Sequence, residues 1–392
     1  MNRLAIIIAG IMVLLSTPVV LELAMFLVAN VLLRPVRRRG PGYELPLRDR
    51  LRIAILIPAH DEEKNIARCV SSILASDQGG CEREIIVIAD NCGDRTAAIA
   101  GATGARVIER HDDAVRGKGA AIRYALDQLS PEAHDAYIII DADTIVSRNF
   151  IQIMAGYFAG GAQAIQSVNL PLNTEASPRV RLMNLALLSM NVFKPVGRGI
   201  LGFSAGILGN GFGLGRKLLE NVPYTANSIA EDLEYHLRLV EKGYKVRFVP
   251  ETRVWSDFPV SRQGTETQRA RWEGGRFKLQ RQKFLPMLGM MASGKTRMLE
   301  PFLELMSMPL SYTALMLCAI AVIPAQPFPV FGISGLAIIL AQMIASVVLY
   351  GERKDFLAFF EIPAYLFWKI ARLPAILRNS RKNAEWIRTK RD

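Results

Sequence analysis

Histidine and cysteine are scarce in this sequence, with four of each among 392 residues. Cys69, Cys81 and Cys92 are spread through one stretch and Cys318 sits in an apolar run. No pair has zinc-ligand spacing, and four histidines are too few to complete such sites readily, so the cysteines read as free thiols in a reducing compartment. That excludes a disulfide scaffold. Charge is also sparse, at 21% of residues against 51% hydrophobic, and the mean hydropathy is +0.20. A disordered tail and a collagen are excluded, and a purely soluble enzyme fits poorly. Acids are outnumbered by bases, 36 to 48, and the net charge of +12 favours anionic partners: phosphates, nucleic acid or a lipid surface. There is no internal repeat and no low-complexity tract.

Where charge is missing, it is missing in blocks. Leu4 to Leu33 carries only Glu22, is longer than a bilayer core requires, and ends at the basic cluster from Arg34 to Arg39. A helix bent at Pro18 fits it better than a cleaved signal peptide. Leu305 to Gly351 carries no charge at all, which is long enough for two spans turning at Pro324–Pro329. Basic residues flank the block but not the turn. The positive-inside rule then puts the N-terminus outside, residues 34 to about 300 in the cytoplasm, and the tail inside. The expected organisation is an N-terminal transmembrane helix over 1–33 and a cytoplasmic domain over 34–285 with an interfacial helix near 262–285. A linker and two transmembrane helices follow over 286–351, then an amphipathic helix and basic cytoplasmic tail over 352–392, able to touch anionic membrane lipids.

Between Leu51 and about Lys283 the pattern is strand–helix alternation. Arg52–Pro58, Glu84–Asp90, Arg106–Glu109 and Ala136–Asp141 read as strands, and helical spacing follows the first, second and third. This predicts an α/β domain, an open Rossmann-like sheet whose ligand lies at the C-terminal strand edge. That edge is acidic: Asp61-Glu62-Glu63, Asp90, and Asp141-Ala-Asp143. Asp61 and Asp90 are also plausible helix N-caps. An Asp-x-Asp pair at a strand end supplies hard oxygen donors suited to Mg²⁺ or Mn²⁺ on a diphosphate.

Other features gather around this rim. Arg116-Gly-Lys118-Gly opens a helix from about Gly119 to Leu129 and combines a glycine turn, an ammonium and helix N-terminal amides, a set suited to anions. Ser228 with Glu231 forms a capping box, which leaves Asp232 as the better general base; His236, a turn later, reads as structural. The glycines from Gly206 to Gly215, Gly211 among them, allow close approach to a ligand. Gln268-Arg-Ala-Arg271-Trp272 offers a bidentate clamp for a diphosphate and an indole for a sugar face. The same residues would also serve as snorkelling anchors of an interfacial helix.

Taken in order, Ile57-Pro58-Ala-His-Asp-Glu-Glu63, Val87–Asp90 with Asp94-Arg-Thr96, Asp141-Ala-Asp143, Glu231-Asp232 and Gln268–Trp272 resemble family 2 glycosyltransferases. These are inverting GT-A enzymes, and the flanking apolar blocks make the sequence similar to membrane-embedded members such as cellulose and hyaluronan synthases and ceramide glucosyltransferase. The resemblance implies a GT-A fold and a nucleotide-sugar donor, held by Pro58, Glu62, Asp90, Lys118, Asp141, Gln268 and Arg271. It implies a divalent metal, Mg²⁺ or Mn²⁺, on Asp143 and Asp141, and catalysis by Asp232 with Glu231. Trp272 and Gly211 would border the acceptor. Asp90-Asn91 stands where the family has two acids. The implied activity is hexosyl or N-acetylhexosaminyl transfer, from a UDP-sugar first, to a lipid-linked or growing glycan acceptor at the inner membrane. The Gln-Arg-x-Arg-Trp form also suits a processive synthase, which would need a homo-oligomer or an export partner.

Two other readings differ in class. Gly289–Thr296 fits the P-loop expression G-x-x-x-x-G-K-[ST], but a P-loop needs a preceding strand, and here a basic helical stretch and Pro286 precede it. A degenerate, non-catalytic glycan or nucleotide-sugar receptor would be expected to lack Asp143, Asp232 or Trp272, and all three are present. No aromatic-basic stacking platform appears, so nucleic acid is not an expected partner.

Overall fold

The computed structural model describes residues 3–33, 51–130, 132 and 134–369, apart from several side chains between 262 and 271. It divides into two compact units. One joins 35–173 to 203–258; the other joins 1–34, 174–202 and 259–392.

The first unit is an eight-stranded mixed sheet. Its strands are β1 (Arg52–Ala59), β2 (Glu82–Asp90), β3 (Arg106–Arg110), β4 (Ala136–Ile139), β5 (Thr144–Val146), β6 (Ala164–Pro171), β7 (Phe212–Gly215) and β8 (Arg247–Ser256). The order is β3-β2-β1-β4-β7-β6-β8-β5, with the first four parallel and β7 antiparallel to both neighbours. The apolar run in β1 follows from burial on both faces. Ile53, Ile55 and Ile57 pack with Val70, Ile73 and Phe150, whereas Ala54 and Leu56 pack with Ile122, Ala125 and Tyr235. Because β1 to β4 run parallel, their C-terminal ends share one edge, and the acidic residues lie there. The strand–helix reading of 51–141 matches this architecture, an open mixed sheet flanked by helices.

The second unit is helical: α1 (Arg3–Leu32), α6 (Pro178–Leu187), α7 (Lys194–Ile200), α10 (Arg262–Ala292), α11 (Leu299–Met306), α12 (Leu310–Ala321) and α13 (Phe328–Tyr350). The numbers left out belong to the first unit: α2 (Ile66–Leu74), α3 (Thr96–Ala102), α4 (Lys118–Leu129), α5 (Phe150–Ala159), α8 (Arg216–Asn221) and α9 (Glu231–Glu241). Among the described residues two helices, α1 and α13, are long and apolar enough to cross a membrane. The first half of the Leu305–Gly351 block forms only the 12-residue α12, which passes that test only together with 296–306, across a 77° bend.

Glu22, the lone acid of α1, is buried and meets Lys194 Nζ at 2.8 Å. Lys194 and Arg198 come from the segment 174–202, which the sequence pattern leaves inside the α/β domain. Arg198 pairs in turn with Glu300 and Glu304. These charges explain why the segment groups with apolar helices: an ion without a partner in such surroundings is strongly unfavourable. α10 runs through Pro286 rather than ending there, so Gly289 lies within a helix and no strand leads into the P-loop-like sequence. The 3₁₀ segment Arg353–Glu361 and helical residues 362–369 cover the start of the expected amphipathic stretch. The basic cluster 34–39 and the tail 370–392 lie outside the described residues.

Candidate active site

Four strand ends build the rim. After β1 the chain turns through Asp61, at φ 52°, whose Oδ1 accepts from the Gly93 amide at 2.7 Å. Asp61 is therefore no helix cap; nor is Asp90, because the helices that follow begin after Asn65 and Arg95. Pro58 is partly buried near the end of β1. Glu62 Oε2 accepts from Asn65 Nδ2 at 2.8 Å, and its amide donates to Thr96 Oγ1 at 2.7 Å. Asp90 is buried at the end of β2, where Arg110 Nη1 lies 2.6 Å from its Oδ1. Sequence reasoning missed Arg110. The signal was register: in the parallel β2–β3 pair, Asp90 and Arg110 are partners.

The chain leaves β4 into Asp141-Ala-Asp143, with Asp141 partly exposed and Asp143 buried. Asn210, also overlooked, positions this turn. Its Oδ1 accepts from the Asp141 amide at 3.1 Å, while its Nδ2 reaches Thr144 Oγ1 and Ser256 Oγ at 2.9 and 3.2 Å. Gln166, fully buried in β6, braces the same segment through the Asn210 carbonyl and the Leu208 amide, both at 2.8 Å.

Lys118 joins the two acidic groups. It is the first residue of α4, and Nζ bonds both Asp141 Oδ1 and the Gly209 carbonyl. Gly209, at φ +79°, has so little room that a Cβ would lie 3.0 Å from Asp232 Oδ2. Lys118, Asp141, Gly209, Glu231 and Asp232 thus surround one place. Burial opposes the Lys118 charge, but Asp141, Glu231 and Asp232 outweigh it and hold the ammonium above its ordinary pKa. Burial also pushes up Glu231, reinforced by Asp232, and it pushes up Asp232, against the influence of the Leu233 amide and Lys118.

The expected capping box does not form. α9 begins at Glu231 with Ala230 as its cap, and the Ser228 amide bonds Glu234 Oε2 at 3.2 Å. Glu231 faces the Lys118 cluster, free of a capping role. His236 is structural: it is buried, with Nε2 2.9 Å from Ser204 Oγ.

Gly211 is closely packed. At φ +69°, an added Cβ would lie 2.4 Å from Ser167 Oγ, its amide bonds Ile139, and its carbonyl accepts from Ser167. It is packed within the sheet. Gln268 and Trp272 lie on α10 in the helical unit, the first buried and the second 41% exposed. The Arg271 side chain lies outside the described residues.

A mixed sheet with this order and an acidic rim at the C-terminal edge of its parallel strands defines a GT-A-like domain. Residues 50–275 match the family described as "Glycosyltransferase like family 2", and the chain belongs to that family. The fold is that of the mannosyltransferase PcManGT from Pyrobaculum calidifontis, solved with GDP-Man and Mn²⁺. The likeness covers 88% of this chain and 96% of that one, at a TM-score of 0.53 and 16% identity. The "Probable glycosyltransferase YdaM" of Bacillus subtilis is 25% identical over 252 residues, 61% of this chain and 58% of that protein. The "Beta-monoglucosyldiacylglycerol synthase" of Synechocystis sp. is 26% identical over 236 residues, 57% of this chain and 47% of that protein. The "Poly-beta-1,6-N-acetyl-D-glucosamine synthase" of Staphylococcus aureus is 24% identical over 245 residues, 60% of this chain and 57% of that protein. The chain spans about half the length of the curated relatives it matches.

Proposed function

We propose that this protein is a membrane-bound inverting glycosyltransferase that moves a sugar, from a UDP-sugar first, to a lipid-linked acceptor in glycolipid or exopolysaccharide assembly. The observation that carries this reading is the cluster in which Lys118 joins Asp141 and Gly209 beside the Glu231–Asp232 pair. It offers a cation for a diphosphate and a base for a hydroxyl in one place. Asp232, its pKa raised by burial, takes the acceptor proton as the acceptor oxygen bonds the anomeric carbon and the bond to the diphosphate breaks. That single displacement inverts the centre. Glu231 shares the site and tunes the base. Glu62 and Asp90 hold the nucleoside; Arg110 fixes the orientation of the Asp90 carboxylate.

Asp143 and Asp141 are a donor set that fits Mg²⁺ or Mn²⁺: two hard carboxylates at one turn, set by Asn210. Such an ion would neutralise charge on the departing diphosphate. Gln268, Arg271 and Trp272 are assigned from their motif to the diphosphate and acceptor. The protein is placed in the inner membrane as a multi-pass chain with a cytoplasmic catalytic domain. The likeness to a polysaccharide synthase favours a second reading, processive elongation, for which an oligomer or export partner would supply the path.

The test uses the full chain in nanodiscs with Mn²⁺ or Mg²⁺, a panel of UDP-, GDP- and TDP-sugars and membrane lipid extract. Nucleoside diphosphate release from one donor is expected, lost in both Asp143→Asn and Asp232→Asn. A lipid-soluble product supports single transfer and a polymer the processive reading. No release from any donor, with nucleotide binding intact and indifferent to EDTA, would leave a receptor instead.

A further inference from the structure

The helix that carries Gln268 and Trp272 is weakest immediately after them. Gly274 and Gly275 follow directly, and glycine is the poorest helix former after proline. Side chains on both sides of this pair tie α10 to other helices of its own unit. Before it, Glu273 accepts from Tyr312 OH at 3.2 Å and lies 3.7 Å from Lys369 Nζ. Lys369 is only 3% exposed; its Nζ sits 3.7 Å above the Tyr312 ring and also bonds Ser311 Oγ. After the pair, Arg276 donates to the Glu304 carbonyl, and Gln280 Nε2 to the Leu305 carbonyl at 2.6 Å.

Those two carbonyls belong to the last turn of α11: the Glu304 carbonyl also accepts from the Ser307 amide at 3.2 Å, and the residue four beyond Leu305 is Pro309, which has no N–H to donate. α10 therefore satisfies the helix break, and the break holds α10. At about 100° per residue, Glu273, Arg276 and Gln280 form one stripe adjoining that of Gln268 and Trp272. Holding the first stripe fixes the rotation of the second. A Lys buried among an acid, a hydroxyl and an aromatic face has little freedom to rearrange, so the hold is specific.

We propose that Glu273, Tyr312 and Lys369 are positioning residues for the Gln268–Trp272 segment, linking it to the α11–α12 break and to the helix that carries Lys369. This rests on the proposed reading, in which that segment borders diphosphate and acceptor. In substrate-positioning terms, a displacement of about 1 Å reduces turnover as much as a hundredfold.

The experiment compares wild type, Glu273→Gln, Lys369→Met, Lys369→Arg and Asp232→Asn in nanodiscs. Expected in Glu273→Gln and Lys369→Met is a kcat lowered ten- to a hundredfold at unchanged donor KM, in protein still folded at the assay temperature, with recovery in Lys369→Arg. A second readout needs no catalysis: acrylamide quenching of Trp272, with Trp255, Trp368 and Trp386 replaced by Phe, should rise in Lys369→Met and not in Lys369→Arg. Unchanged quenching and kcat in both variants would overturn the proposal, as would a kcat loss matched by loss of folding. Asp232→Asn separates the two ideas. If it turns over like wild type, the catalytic reading fails while the quenching arm still decides whether Trp272 is positioned by Lys369.

Discussion

At the scale of residues, Lys118 sets the chemistry of its neighbours. It lowers the pKa of both Glu231 and Asp232, which burial raises. The two carboxyls titrate as a pair, so the acidic limb of a pH–rate profile belongs to both. Turnover should decline as pH falls through that raised range, and Lys118→Met should move the limb to higher pH. A limb that stays put in Lys118→Met would remove this cluster from catalysis. The same shift has a sign in stability. A carboxyl raised in the folded state binds its proton more readily there than in the unfolded chain. Its contribution is greatest at low pH and is lost as pH rises through the folded pKa. Glu231 is pushed up to about 7, so between pH 5 and pH 8 wild type should lose thermal stability relative to Glu231→Gln; parallel melting curves would contradict this. Arg110 makes a different prediction. Arg110→Ala leaves the buried Asp90 carboxylate uncompensated and should destabilise the α/β unit by about 3–5 kcal/mol in chemical denaturation.

At the scale of elements, the central strands could be read because each is an unbroken apolar run, and parallel pairing puts their carboxylates on one edge. Asp141 and Asp143 were legible for that reason. Asn210 and Gln166 were not, because their importance lies in bonds to chain tens of residues away, which no local pattern encodes. The Ser228–Glu231 spacing suggested a cap, but the helix starts at Glu231, drawn to Lys118. Pro286 looked like a boundary since basic sequence precedes it and apolar sequence follows; α10 nonetheless continues through it. The 174–202 segment looked like part of the sheet domain until Lys194 and Arg198 found their acids on other helices. Packing alone requires glycine at 211. Gly211→Ala should destabilise by about 1–3 kcal/mol from its backbone conformation alone, before the overlap with Ser167, in denaturant titrations.

At the scale of the whole molecule, a charge of +12 with acids concentrated at strand ends leaves bases for the flanking regions. Basic sequence beside the apolar helices suits an anionic lipid surface. Whether the bent pair of α11 and α12 crosses or re-enters can be read directly. Single cysteines at Ser293 and Ala325 should label from opposite sides of sealed vesicles if the pair crosses, and from the same side if it turns back. The unequal arms of the α12–α13 hairpin carry a consequence of their own. By helix rise, 12 residues give ~18 Å and 23 give ~34 Å, against roughly 30 Å of hydrocarbon. Gly332 fits so closely against Leu317 and Ala321 that the arms cannot slide to equalise. If α12 crosses on its own, the bilayer would have to thin around the short arm, and this hydrophobic mismatch would make the lipid's acyl length a partner in folding. Reconstituted protein should be most stable in short-chain phosphatidylcholine and lose stability stepwise as the chains lengthen.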